Sequence, residues 1–228
     1  TLSVTVSESL LPVLPEVLAR IKNLFDLYCE PKAVYETLQV MNTLQPGLCV
    51  LGTRLPGCFN VFEMSVRAVL GQQITVKAAS TLAARLVAAY GTQVQTGIEG
   101  LTHSFPAPAA ILALGENISE HLGKLGIISA RANTIYQLAR VLADEKNDFG
   151  FWGNPEEEMQ KLQSIRGIGS WTAQYIAMRA MGWPDAFLPT DAGIKKALPD
   201  HTPKELQALS EAWRPWRSYA TVNLWNTL

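Results

Sequence analysis

Cysteine is scarce in this 228-residue chain: Cys29, Cys49 and Cys58 are all there is. An odd number makes no complete disulfide framework, and no pair has the CxxC spacing of a metal site, so three scattered core thiols are expected. Long apolar runs are missing as well. No stretch of eighteen or more apolar residues occurs, and nothing reads as membrane-spanning. The chain opens Thr-Leu-Ser-Val-Thr-Val, with no basic, apolar leader and no initiating Met. The first absence argues for a cytoplasmic location; the second is expected of a piece of a longer protein. An excess of one charge is also lacking, with 19 basic against 20 acidic residues and a net charge of −1. That argues against a wide basic face on nucleic acid. It leaves room for a grip on a few phosphates through backbone amides and helix N-termini. Only the last third tilts positive: from Lys161 onward eight basic residues face five acidic ones, a net +3.

What is present is the composition of an ordinary globular protein, 48% hydrophobic, on a chain long enough for one large domain or two small ones. Residues 2–7 alternate as a half-buried strand does. The rest has helical spacing. Val17, Leu18, Ile21, Leu24, Phe25 and Tyr28 line one face, with Pro15 near the start. A helical stretch over Val61–Tyr90 is interrupted at Gly71-Gln72-Gln73, and Ser129 reads as the cap of a helix reaching Leu142. Asn154-Pro155-Glu156-Glu157 and Thr202-Pro203-Lys204-Glu205 are helix starts, with cap, proline and acids in order. The expected class is mainly α, with a strand at the beginning.

Met159–Met181 reads MQKLQSIRGIGSWTAQYIAMRAM. A helix ends, a Gly-Ile-Gly turn follows, and a second helix starts at once. Gly167 and Gly169 permit positive φ and close approach, while the N–H groups of Gly167, Gly169 and Ser170 point outward at the helix start. Such a turn binds one phosphate without any lysine. Ile165 and Ile168 would pin it to the core. On its own, Gly-x-Gly is equally a tight turn of no particular purpose. About twenty residues on comes Ala186-Phe-Leu-Pro-Thr-Asp191, with Asp191 placed to cap the next helix. Trp213-Arg-Pro-Trp-Arg-Ser-Tyr-Ala220 and Leu224-Trp225 follow.

The hairpin resembles the helix-hairpin-helix element of the DNA glycosylase superfamily, and Asp191 stands where that superfamily carries a catalytic aspartate. The Trp213-Arg-Pro-Trp-Arg-Ser-Tyr-Ala220 run resembles one branch, the bacterial DNA-3-methyladenine glycosylase II family, to which Leu55-Pro-Gly through Gln72 and Ile165–Trp225 are both similar. The resemblance covers nearly the whole chain from about Leu2. It implies a helix-hairpin-helix glycosylase fold of two helical subdomains over residues 15–228, with residues 1–14 the remnant of an N-terminal antiparallel sheet domain. It also implies hydrolysis of the N-glycosidic bond of alkylated bases such as 3-methyladenine in duplex DNA, by a monomer without a cofactor. Relatives occur as the C-terminal part of fusions with an alkylation-response regulator, with which a Thr1 start is compatible.

An N-alkylated purine is cationic, so its glycosidic bond is already weakened. A carboxylate to stabilise the sugar cation and a π-rich pocket for the base then suffice. By resemblance Asp191 is the first; Trp171, Tyr175 and Trp225 are the second, stacking on a flipped base. Trp171 and Tyr175 share a helix face, and ordinary core packing is the rival account of both. DNA contacts are implied for Gly167, Gly169, Ser170, Thr172, Gln72 and Gln73, the last as a wedge into the duplex where the best-known members have Leu. Gln72 and Gln73 equally suit a plain helix interruption. A monovalent cation is implied at the carbonyls of Gln163, Ile165 and Ile168. Relatives that also cut the strand carry a Schiff-base lysine at the place of Trp171, which closes that route here. The C-terminal cysteines of an iron–sulfur loop are absent too. Arg214 and Arg217 suit either phosphate or core acids. A non-enzymatic DNA-binding module, a glycosylase for oxidised or mismatched bases, and a pure interaction domain are the alternatives.

Overall fold

The computed structural model describes residues 2–143 and 154–228. Twelve α-helices account for nearly all regular structure among them. From the N-terminus they are α1 (Leu14–Leu24), α2 (Pro31–Leu38), α3 (Val61–Leu70), α4 (Val76–Tyr90), α5 (Pro108–Leu112) and α6 (Ile118–Gly123). Then come α7 (Ser129–Leu142), α8 (Pro155–Ser164), α9 (Ser170–Ala180), α10 (Ala192–Ala197), α11 (Pro203–Leu209) and α12 (Arg217–Trp225).

Several helices begin where a polar side chain takes up an orphan backbone N–H group. Asn60 accepts from Glu63 N at 2.8 Å to open α3, and Thr75 accepts from Ala78 N at 3.2 Å to open α4. Thr202 and Glu205 close the reciprocal capping box expected at α11. Ser129 differs from expectation. It is the first residue of α7, the N-cap is Ile128, and no side chain caps that end.

Two apolar cores divide the helices into the two expected subdomains. One gathers Val66, Val69 and Leu70 of α3, Leu86 of α4, Ile135 and Leu138 of α7 and Leu162 of α8. The other gathers Val34 and Leu38 of α2, Met41, Leu48, Phe187, Ile194, Trp213 and Leu224. Each fully buried aliphatic side chain is worth roughly 1.5–3 kcal/mol relative to exposure. Helix α9 is the shared wall. Ala173, Ile176 and Ala177 belong to the first core, Met178 to the second, and Tyr175 packs against both. Helix α9 therefore lies between the two cores, and Asp191 before α10 and Trp225 at the end of α12 meet its Trp171 and Tyr175.

The N-terminus departs from expectation. Leu2–Ser7 has no ladder partner, and the isolated Gln93–His103 bridge is the one antiparallel pairing among the described residues. Alternation makes a strand only when a neighbouring segment supplies the ladder. The apolar stripe of α1 is only half covered: none of its residues is buried, Leu18 is 37% exposed, and Phe25 just past its end is 49% exposed.

Candidate active site

Between α8 and α9 the chain turns in five residues. Ile165 and Ile168 are buried, as expected, while Arg166, Gly167, Gly169 and Ser170 face out. The two glycines do different work. Gly167 has φ 97°, and a Cβ there would lie 2.1 Å from Oγ1 of Thr134 on α7. Thr134 is buried, and its hydroxyl sits 2.9 Å from the Arg166 carbonyl, tying the turn to α7. Gly169 is extended, at φ −89° and ψ 179°, so the expectation of positive φ holds only for Gly167. A Cβ on Gly169 would meet no protein atom within 4 Å. Its bareness matters only to something arriving from outside. No side chain caps α9. Its first N–H groups are left for an anion by helix geometry and the dipole.

The interruption between α3 and α4 reaches this turn. Gln72 Nε2 donates to the Gly167 carbonyl at 2.9 Å and to Thr172 Oγ1 at 3.0 Å. Arg131 of α7 donates to the Gln72 carbonyl. Of these two residues expected at DNA, Gln72 is half-buried with its amide engaged on the hairpin, and Thr172 is turned inward. Thr172 is 3% exposed and its hydroxyl is engaged. The two side chains fasten the α3–α4 loop to the hairpin. Gln73 is exposed, held at φ 54° at the tip of the fastened loop.

Asp191 is the N-cap of α10 and 9% exposed. Its Oδ1 accepts from Gly193 N at 2.8 Å, Ile194 N at 3.1 Å and Trp225 Nε1 at 2.8 Å. Its Oδ2 accepts from Trp171 Nε1 at 3.1 Å. Trp171 and Tyr175 stack face to face, with centroids 5.2 Å apart and planes 8° from parallel. Trp225 closes the group at 6.3 Å from Tyr175, tilted by 48°. All three rings are half-buried. A base cannot enter between Trp171 and Tyr175, which already touch, so stacking is open only on the outer faces of the cluster. The arrangement sets a carboxylate ringed by four N–H donors beside an aromatic surface, two of whose rings stand on the helix that the hairpin opens.

Against known families, residues 66–216 match the model of the HhH-GPD superfamily of base excision DNA repair proteins, and residues 1–60 match that of the AlkA N-terminal domain. This chain belongs to the HhH-GPD superfamily. DNA-3-methyladenine glycosylase 2 of Escherichia coli is 38% identical over 227 residues, covering 100% of this chain and 77% of that protein. A probable bifunctional transcriptional activator/DNA repair enzyme AlkA of Mycobacterium tuberculosis is 40% identical over 92% of this chain but only 42% of its own length. A solved 3-methyladenine DNA-glycosylase from Archaeoglobus fulgidus superposes with a TM-score of 0.76 at 22% identity, covering 97% of this chain and 76% of that one, a likeness of fold alone.

Elsewhere in this HhH-GPD protein the open choice resolves toward a core acid for Arg217, while Arg214 stays half exposed between Asp185 and the exposed Glu211. Arg217, with its side chain 7% exposed, bonds Asp185 at 2.7 Å, and Arg214 reaches the same carboxylate at 2.5 Å. All three cysteines are free thiols. No helix among the described residues is long and apolar enough to cross a membrane. A cavity of about 390 Å³ lies apart from Asp191 and the rings, lined by Glu156, Gln163, Gln174, Trp183, Arg214 and Arg217 among others. Its arginines are already paired with Asp185. The carbonyls of Gln163, Ile165 and Ile168 are neutral oxygen donors, which suit a weakly charged cation. That of Ile165 accepts the Ile168 N–H at 3.0 Å and has a lone pair left. Sequence reasoning missed Arg131 and Thr134, which nothing in the sequence connects to residues 72 and 166. It also missed Gly193, a glycine inside a helix and so a signal that could have been followed.

Proposed function

We propose that this chain is a monofunctional DNA glycosylase that hydrolyses the N-glycosidic bond of alkylated bases such as 3-methyladenine in duplex DNA. The observation that carries the reading is the largely buried carboxylate of Asp191, held beside Trp171, Tyr175 and Trp225 with a tryptophan at position 171.

The duplex is gripped where Gly167, Gly169 and Ser170 present backbone N–H groups, so that a phosphate sits on the hairpin and the α9 dipole. A monovalent cation on the carbonyls of Gln163, Ile165 and Ile168 would add positive charge there. Gln73, carried on the loop that Gln72 fastens, enters the gap a flipped nucleotide leaves and offers its amide to the orphaned base. The cationic base stacks on the outer aromatic faces, where ring quadrupoles favour positive charge. As the C1′–N bond breaks, its electron pair leaves with the base and neutralises it. The sugar becomes oxocarbenium-like, and Asp191 stabilises that charge from a site with little water to screen it. A water then bonds to C1′ and loses its proton, leaving an abasic site in an unbroken strand. With Trp at position 171 there is no amine to form an imine with C1′. Residues 1–14 are the remnant of an N-terminal sheet domain, and the protein acts as a monomer.

The test is incubation with methylated duplex DNA. Free 3-methyladenine should appear, strands should break only after alkali, and borohydride should trap no protein–DNA adduct. A trapped adduct or alkali-independent cleavage would overturn the monofunctional reading. DNA binding without any base release would leave a binding module in its place.

A further inference from the structure

The two oxygens of a carboxylate are chemically equivalent until their surroundings distinguish them. Around Asp191 they do. Oδ1 accepts three N–H groups, from Gly193, Ile194 and the Trp225 indole, at 2.8, 3.1 and 2.8 Å. An ionised carboxylate offers about two lone pairs per oxygen, so Oδ1 has nothing left to give. Oδ2 has one donor, the Trp171 indole at 3.1 Å, and one lone pair to spare.

The Trp225 bond depends on what residue 193 lacks. A Cβ on Gly193 would stand 2.7 Å from Trp225 Cδ1, 2.9 Å from Nε1 and 3.0 Å from Asp191 Oδ1. The atoms it meets first belong to a rigid ring, so relief comes only by swinging the indole away, and that breaks its bond to Oδ1. The backbone itself makes no demand for glycine, since Gly193 is not among the residues at positive φ. Helix propensity disfavours glycine at a helical position. A glycine that local energetics disfavours, in contact with both the carboxylate and its donor, is explained by that contact.

We infer that Gly193 and the Trp225 indole N–H form a positioning device that saturates Oδ1 of Asp191 and makes Oδ2 the oxygen that meets the sugar. The inference rests on Asp191 being the catalytic carboxylate. Neither group need touch the reacting atoms. Gly193 lets the indole in, the indole and two backbone amides stop the carboxylate rotating about χ2, and the remaining oxygen points where charge develops. Trp225 thereby has a polar duty separate from the stacking its ring provides. Preorganisation of this kind acts on the chemical step and leaves DNA binding alone.

The experiment compares wild type, Asp191→Asn, Gly193→Ala, Trp225→Phe and the Gly193→Ala/Trp225→Phe double variant. The readouts are single-turnover release of 3-methyladenine, Kd for a duplex holding an abasic-site analogue, and Tm. Trp225→Phe keeps a stacking ring and removes the N–H. Each of the two single variants should slow release by about 10- to 100-fold, the worth of one hydrogen bond to a charged group, with Kd unchanged within about twofold. The double variant should be no slower than the worse single, because both remove one bond. Gly193→Ala regains helix propensity but displaces a half-buried ring and breaks one bond, so its Tm should fall by no more than a few degrees. Release by Gly193→Ala at the wild-type rate overturns the inference. So does an equal loss of rate and binding, or full additivity in the double variant. If wild type releases no base, or Asp191→Asn is as fast as wild type, the catalytic reading of Asp191 fails and the inference falls with it. The two failures are told apart by which arm shows them.

Discussion

Replacing the hairpin glycines one at a time should split protein stability from DNA binding. Gly167→Ala puts a Cβ at φ 97° and drives it to within 2.1 Å of Thr134 Oγ1. The left-handed backbone costs about 1–2 kcal/mol, and crowding a buried side chain adds about 1–3 kcal/mol. Moving Thr134 also loosens its 2.9 Å bond to the Arg166 carbonyl, worth about 1 kcal/mol. Together these amount to about 3–6 kcal/mol, or on the order of 10–20 °C in Tm for a chain of this size. Gly169→Ala has no such cost: at φ −89° and ψ 179° the backbone suits alanine, and the new methyl meets no atom within 4 Å. Its stability should stay within about 0.5 kcal/mol of wild type. The methyl does stand where a phosphate must approach the α9 amides, and affinity for a duplex with an abasic-site analogue should fall on the order of tenfold. Thermal unfolding and an equilibrium DNA titration on both variants make the check. Wild-type affinity in Gly169→Ala refutes the close-approach argument, and wild-type Tm in Gly167→Ala refutes the packing argument.

Gln72→Ala removes the bonds to Gly167 and Thr172, so it should cost about 1–2 kcal/mol and slow base release from duplex DNA. A denaturant melt and a single-turnover assay decide, and unchanged values would mean the loop is not fastened there. Arg217→Ala leaves Asp185 buried and short of its main partner, and should destabilise by about 3–5 kcal/mol without weakening DNA binding at fixed salt. A loss of affinity with stability intact would put Arg217 at the DNA. Burial pushes the Cys58 thiol up to about 11 and raises those of Cys29 and Cys49, so all three stay protonated at pH 7.5. Iodoacetamide should modify them quickly only after unfolding, and rapid labelling of the native protein would contradict this.

The helical class and the hairpin were legible in the sequence because each rests on local patterning, whereas the cluster around Asp191 came from the family resemblance. Cap, proline and acid at residues 154–157 and 202–205, glycines at 167 and 169, and aromatics at 171 and 175 are all read within one or two helical turns. What was not legible lies across the fold. Gln72 looks like a DNA contact until the Gly167 carbonyl and Thr172 hydroxyl are found against it, 95 and 100 residues away in sequence. Arg217 has the same ambiguity, which ends only when Asp185 is brought beneath it. The strand expected at residues 2–7 fails for the converse reason. Alternation is a local signal, whereas a ladder needs a partner that no local pattern supplies.

The central claim is that Asp191 does the chemistry on a base stacked against Trp171, Tyr175 and Trp225, in a protein gripping DNA elsewhere. Single-turnover release of 3-methyladenine from methylated duplex, measured beside affinity for an abasic-site duplex in wild type and Asp191→Asn, tests it most directly. The account predicts release by wild type, loss of at least about a thousandfold in Asp191→Asn, and affinity nearly unchanged, since the hairpin is untouched. Release by Asp191→Asn at a rate near wild type would contradict it.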